Sequence, residues 1–316
     1  ETVLVGVEDI RRPGGDKDFN DAIFTVEATP FTAIDPSSYV VAERVQSEHM
    51  IMCEDNVNDN DYTDLITMIT VTEKMNTNTL EIKNIQIDCD LLTRGSWDDH
   101  EFGVRIPNIA TVDPGAVVTR HIYDCNGNST GAETLTLGPD VCIFPSTKAI
   151  TEPNANAEFC FNAEPNWPSA PLPAACARVV ITFSRDVARS ELANAVAPYT
   201  PYLKVYSDGT KEATVSTAPL AREYEDGKVY SDTDPYWARS GIPNVPKILV
   251  FPRVHPQFFT PRERDPIYKT YPALVNFLQS SGAEYPHWYQ FPEVTRGDSA
   301  LVAIPERTFA IGEDTK

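Results

Sequence analysis

Apolar residues recur at every second position through most of this chain, and that period narrows its fold more than any other feature. Phe24 and Val26 alternate with Thr25 and Glu27; Thr67, Ile69 and Val71 oppose Ile66, Met68 and Thr70; Phe102, Val104 and Ile106 alternate with charged or small residues. The same alternation marks strands within 80–91, 135–143, 179–183, 203–205 and 248–250. A register slip at Lys83-Asn84 predicts a bulge. Short alternating strands divided by turn residues point to a mainly β protein, an antiparallel β-sandwich of jelly-roll-like form. The 26 prolines outnumber the 15 glycines. Proline is barred from helix interiors and central strands, so long Pro-rich loops follow. Two segments predict short helices, 184–196 and 271–282. The second has Pro272 in its first turn, Leu274 and Leu278 on one face and Gly282 at its end.

Charge excludes some partners. The 46 acidic residues exceed the 26 basic ones, for a net −20. A nucleic acid needs a basic face, so it is not the expected partner; an anionic membrane surface is disfavoured for the same reason. No apolar run approaches the ~20 residues of a membrane helix. The chain opens at Glu1 directly into a strand pattern, with no basic and apolar leader, which reads as a processed start or a fragment of a longer chain. Its 316 residues divide into 1–50, the closing part of a first β module, and 51–316, a sandwich with an irregular Pro-rich C-terminal half.

Six cysteines, at 53, 89, 125, 142, 160 and 176, form no CxxC or zinc spacing. An even count in an acidic β chain predicts disulfides and an oxidising compartment. Pairing of neighbours is the simplest framework: Cys53–Cys89, Cys125–Cys142 and Cys160–Cys176. Asn128-Ser-Thr130 matches a glycosylation sequon.

One acidic pattern occurs twice, each time just before a strand. Glu8-Asp9 precedes Asp16-Lys-Asp18-Phe19-Asn20-Asp21, and Glu54-Asp55 precedes Asp59-Asn-Asp61-Tyr62-Thr63-Asp64. Like charges ~4 Å apart repel by about 4 kcal/mol at an effective dielectric near 20. Such a cluster holds if its carboxylates splay into water, share a cation or sit in a network of donors. Ca²⁺ suits it best, because that ion accepts a flexible set of carboxylate, amide and carbonyl oxygens. The candidate ligands are Glu8, Asp9, Asp16, Asp18, Asn20 and Asp21 in the first copy and Glu54, Asp55, Asp59, Asp61 and Asp64 in the second. Neither is an EF-hand: the sixth position of the first copy is Asp21 rather than glycine and a strand follows, and the second copy has Thr70 at its twelfth position. Phe19 and Tyr62 are expected to anchor their loops in the core.

The first copy, with its Gly6-Val-Glu-Asp-Ile lead, resembles the closing motif of a calcium-associated domain of unknown function found in bacterial secreted adhesins. The region from about Met52 resembles the LruC-type domain of bacterial surface proteins and lipoproteins. It does so through Asp59-Asn-Asp-Tyr-Thr-Asp64, Leu92-Thr-Arg-Gly95, Glu101-Phe-Gly-Val-Arg-Ile-Pro107, Pro198-Tyr-Thr-Pro-Tyr202 and Tyr285-Pro-His-Trp-Tyr-Gln-Phe-Pro-Glu293. The resemblance implies a β-rich secreted or cell-surface module without established enzyme chemistry. The second copy departs from the pattern with Thr63 in place of Asn and no glycine before its first Asp.

No nucleophile elbow, phosphate-binding glycine loop or HExxH occurs, and paired carboxylates are uninformative among so many acids. Trp97-Asp-Asp-His100 reads as an exposed acidic turn, and His287 as a packed aromatic corner. The sequence therefore predicts no enzyme. It predicts a calcium-stabilised structural or adhesive module of an extracellular, appendage or particle surface, contacting copies of itself or other surface proteins. A carbohydrate-binding module using the aromatics of 224–291 is the alternative, with core filling as the simpler use of those rings; a hydrolase with an acidic site ranks last.

Overall fold

The computed structural model describes residues 2–7, 22–27, 44–56, 60–96, 98–124, 127–151, 175–207, 219–252, 257–261, 265–293 and 299–303. The chain divides into two units, residues 1–43 and 44–316. In the first, β1 (Thr2–Val7) and β2 (Ala22–Glu27) form an antiparallel hairpin, with Val3 opposite Val26 and Val5 opposite Phe24.

The second unit is a sandwich of antiparallel sheets. Its strands are β3 (Arg44–Cys53), β4 (Leu65–Met75), β5 (Ile82–Thr93), β6 (Asp99–Arg105), β7 (Val117–Tyr123), β8 (Ser129–Leu135), β9 (Asp140–Phe144), β10 (Ala175–Val187), β11 (Thr200–Tyr206), β12 (Leu220–Glu225), β13 (Val229–Ser231), β14 (Asn244–Pro246), β15 (Ile248–Pro252), β16 (Gln257–Pro261) and β17 (Ser299–Ala303). One sheet has seven strands in the order β15-β3-β4-β5-β10-β7-β8, and the other has four in the order β12-β11-β6-β9. The pairs β13–β14 and β16–β17 stand as two-stranded ribbons.

The period of two decides which side chain goes where. On β3 and β4, Ile51, Cys53, Leu65, Ile69 and Val71 pack in a core with Phe102 and Val104 of β6 and Leu203 and Val205 of β11. Their neighbours Met50, Met52, Ile66 and Met68 face the other way, into a second core with Trp237, Phe251, Ile267, Tyr271, Leu274 and Trp288. The central strands are thus buried on both faces. That is why both alternating sets of β3 and β4 carry apolar residues, Met50 and Met52 as well as Ile51 and Cys53. Opposite β5, Lys74 pairs with Asn84 and Met75 with Ile82, so Lys83 is the extra residue of the expected bulge.

The helix at 271–282 forms as seven residues, Ala273–Gln279, with Pro272 at its N-cap and Gly282 at φ 89° just beyond its end. The segment 184–196 is not a helix. β10 runs on to Val187, which is fully buried and pairs with Ile82, and only a 3₁₀ turn, Arg189–Leu192, follows. Sheet pairing and burial of Val187 outweigh local helix propensity there.

The cysteine expectation is also corrected. Cys53, Cys89, Cys142 and Cys176 are free thiols. Cys53 sits opposite Leu65 and Cys89 opposite Ile69. A whole strand therefore separates them, beyond the ~7 Å limit between bridged Cα atoms. Cys125 and Cys160 lie outside the described residues. Burial pushes the Cys142 thiol up to about 12, so it is not an activated nucleophile.

Candidate metal centre

The loop from β3 to β4 is pinned at both ends. The Glu54 amide donates to the Lys247 carbonyl at 2.9 Å, and the Gly95 amide donates to the carbonyls of Thr63 and Asp64. Asn60 and Tyr62 take left-handed backbone at φ 55° and 59°. Asparagine tolerates that region; a tyrosine there is held by its surroundings. Tyr62 is fully buried in the second core, and its hydroxyl donates to the Pro246 carbonyl. The aromatic anchors the loop as the sequence predicts.

This contortion turns three acids inward. One carboxylate oxygen each of Glu54, Asp61 and Asp64 lies within 4.8 Å of the others, and all three residues are buried. Backbone amides satisfy part of the set. Asn56 and Tyr62 donate to the two oxygens of Glu54, Thr63 to Asp61 at 2.9 Å, and Asp55 to Asp64 at 2.6 Å. Burial, and then the charges of Asp55, Glu54 and Asp61, push the Asp64 carboxyl well above the ordinary range. Three buried oxygens at this spacing are hard, anionic and mutually repelling, the donor chemistry of a calcium site.

Asp55 points elsewhere. Its Oδ2 lies 2.8 Å from Nε2 of His100 and accepts from the Ser96 hydroxyl. Burial alone would raise this carboxyl; the hydrogen bonds from His100 and Ser96 outweigh it and hold the group low. His100→Ala is expected to cost about 2–3 kcal/mol in urea unfolding, because the buried carboxylate loses a strong donor. Because Asp55 is held low in the fold, its stabilisation is full above the unfolded carboxyl range and is lost as pH falls through the folded value.

The neighbourhood of His100 corrects another expectation. Asp99 and His100 are buried on β6, not exposed in an acidic turn. Asp99 accepts from Ser146 and from the Lys148 amide at the start of the helix Thr147–Thr151. Asp59 and the whole first acidic copy, Glu8, Asp9, Asp16, Asp18, Asn20 and Asp21, lie outside the described residues. Sequence reading passed over Ser96, Asn60, Asp232 and Lys247. Ser96, Asp232 and Lys247 lie far along the chain from the motif, and Asn60 lies inside it but carries no charge.

Residues 81–289 match a domain of unknown function, DUF4842. The chain belongs to the DUF4842 family. Residues 1–29 match a second domain of unknown function, DUF4114. No match was found among curated proteins. Among solved structures, a candidate lipoprotein from Bacteroides ovatus shares the fold at a TM-score of 0.56 and 12% identity. The alignment covers 81% of this chain and 75% of that one. The DUF4842 match takes in His100, Asp232 and Lys247, while the acidic loop 54–64 precedes it.

Among the described residues, most aromatic rings of 224–291 are buried or packed against a core. Trp237, Tyr271, Trp288 and Tyr289 are buried, and Phe251 stacks on Tyr289 at 4.9 Å. Tyr285 and Phe291 are exposed, with their rings crossed at 85°.

Proposed function

We propose that this DUF4842 protein is a calcium-stabilised structural module of a bacterial surface, working through contacts rather than catalysis. The observation that carries the reading is the convergence of Glu54, Asp61 and Asp64, buried, with their oxygens within 4.8 Å. An ion held there would neutralise the repulsion and lock the entry to β4, a central strand of the larger sheet. The surface assignment draws on the fold shared with the Bacteroides ovatus candidate lipoprotein and on the net charge of −20. Partners would be copies of the chain or other surface proteins. The crossed rings of Tyr285 and Phe291 do not make the flat platform on which a sugar stacks, so the glycan reading ranks second.

Titration calorimetry with CaCl₂ on chelator-treated protein tests the site. Binding at one site is expected, with an upward shift of the melting midpoint that EGTA reverses. At a calcium concentration a hundred times the Kd, the added stability is about 2.7 kcal/mol. Absence of both heat and shift would refute the calcium reading.

A further inference from the structure

Beside the acidic loop, three buried polar side chains close a ring. The Nζ of Lys247 lies 2.6 Å from Oδ2 of Asp232 and 3.2 Å from Oδ1 of Asn60, while Nδ2 of Asn60 lies 3.2 Å from Oδ1 of Asp232. Asn60 and Lys247 are fully buried, and the Asp232 side chain is 0% exposed. Three parts of the fold deliver them: Asn60 precedes β4, Asp232 follows β13, and Lys247 sits between β14 and β15. Each backbone is fastened locally. The Ile267 amide donates to the Asn60 carbonyl at 2.8 Å, and the Asp232 amide donates to the Pro243 carbonyl. The Tyr62 hydroxyl bonds the carbonyl of Pro246, next to Lys247.

From this geometry we propose that Lys247 and Asn60 join in an intramolecular isopeptide bond, with Asp232 as the proton carrier. An amine, a carboxamide and a carboxylate are the complete set of groups that such an acyl transfer requires. One proton passes from Nζ to Asp232, leaving a neutral amine. The amine lone pair forms the Nζ–Cγ bond to Asn60. Asp232 gives its proton to Nδ2, the Cγ–Nδ2 bond breaks, and the nitrogen leaves as ammonia. The carboxylate then takes the surplus proton from Nζ. The products are a secondary amide, ammonia and neutral Asp232, so charge and protons balance without an oxidant or an activated donor. Exclusion of water keeps hydrolysis from competing, and the fixed positions replace a bimolecular encounter. The bond would strap the β3–β4 loop to the start of β15, an edge of the seven-stranded sheet. It needs no metal and stands apart from the calcium reading.

The test is the intact mass of the full purified chain. We expect it to fall short of the sequence mass by one ammonia, and digestion to release the Asn60 and Lys247 peptides as a linked pair. Asp232→Ala and Lys247→Arg should each restore the full mass. A natively folded wild-type chain at full mass overturns the proposal. So does an ammonia-short mass without the linked pair, which would signal ring closure at Asn60 itself. Both refuting outcomes are read on the wild-type protein, so they hold even if a variant fails to fold.

Discussion

Lys247→Met is expected to lower the unfolding free energy by about 3–5 kcal/mol, because it strips the partner from a buried carboxylate. Asp232 keeps only neutral donors, Nδ2 of Asn60 and the Asp234 amide at 2.8 Å. Neither cancels its charge, and its side chain has no water to turn to. Methionine fills nearly the volume of the lysine stem, so the loss is electrostatic rather than a cavity. A companion change separates the ion pair from the covalent strap. In Lys247→Met with Asp232→Asn, no charge remains in this ring, and the carboxamide now at position 232 can still accept from Asn60 and the Asp234 amide. If the wild type is held by the ion pair alone, the double variant should regain most of the loss. If residues 60 and 247 are covalently joined, it should not. Closing so long a loop is worth roughly 5 kcal/mol in the chain-entropy argument, and no pairing of neutral side chains restores it. Urea unfolding of the wild type, the single and the double variant reads the difference directly.

What the sequence made legible was what local pattern controls. Alternation placed β4 and set Ile69 and Val71 against Ile66 and Met68, while β3 was not among the strands it marked; an out-of-step Lys83 disclosed the bulge. The acidic motif nominated Glu54, Asp61 and Asp64, because like charges crowded before a strand need an electrostatic answer. What stayed hidden depended on partners far along the chain. Lys247 meets Asn60 across 187 positions, and no periodicity carries that information. The polar run Asp98-Asp99-His100 reads as surface until β6 is seen wedged between Asp55 and the helix Thr147–Thr151. Cys53 and Cys89 read as natural partners only while β4 is ignored. Ala188, Glu191, Leu192 and Ala193 give 184–196 a helical composition, yet the ladder with β5 continues to Val187.

Asp64→Asn is expected to reverse sign with calcium. In EGTA the natural protein confines three carboxylates whose oxygens lie within 4.8 Å. Asp64, with its carboxyl pushed well up by burial and its acidic neighbours, bears the repulsion. An asparagine there keeps the acceptor for the Asp55 amide and turns donor hydrogens towards Glu54 and Asp61, so the variant should be the more stable protein. The pH profile carries the same signature. A carboxyl raised in the folded state stabilises fully below the unfolded carboxyl range, and that contribution is lost as pH rises through the folded value. Metal-free wild type should therefore gain stability from this group on acidification from neutral pH, and the variant should not. With calcium the order inverts. The natural trio stays ionised around the ion and gains about 2.7 kcal/mol at a hundredfold excess over Kd, while the variant, short of one anionic ligand, gains little. Melting curves of both proteins with calcium and with EGTA suffice. Parallel curves, displaced equally in the two buffers, would show that the three acids are held by their backbone donors and that no ion is part of the fold.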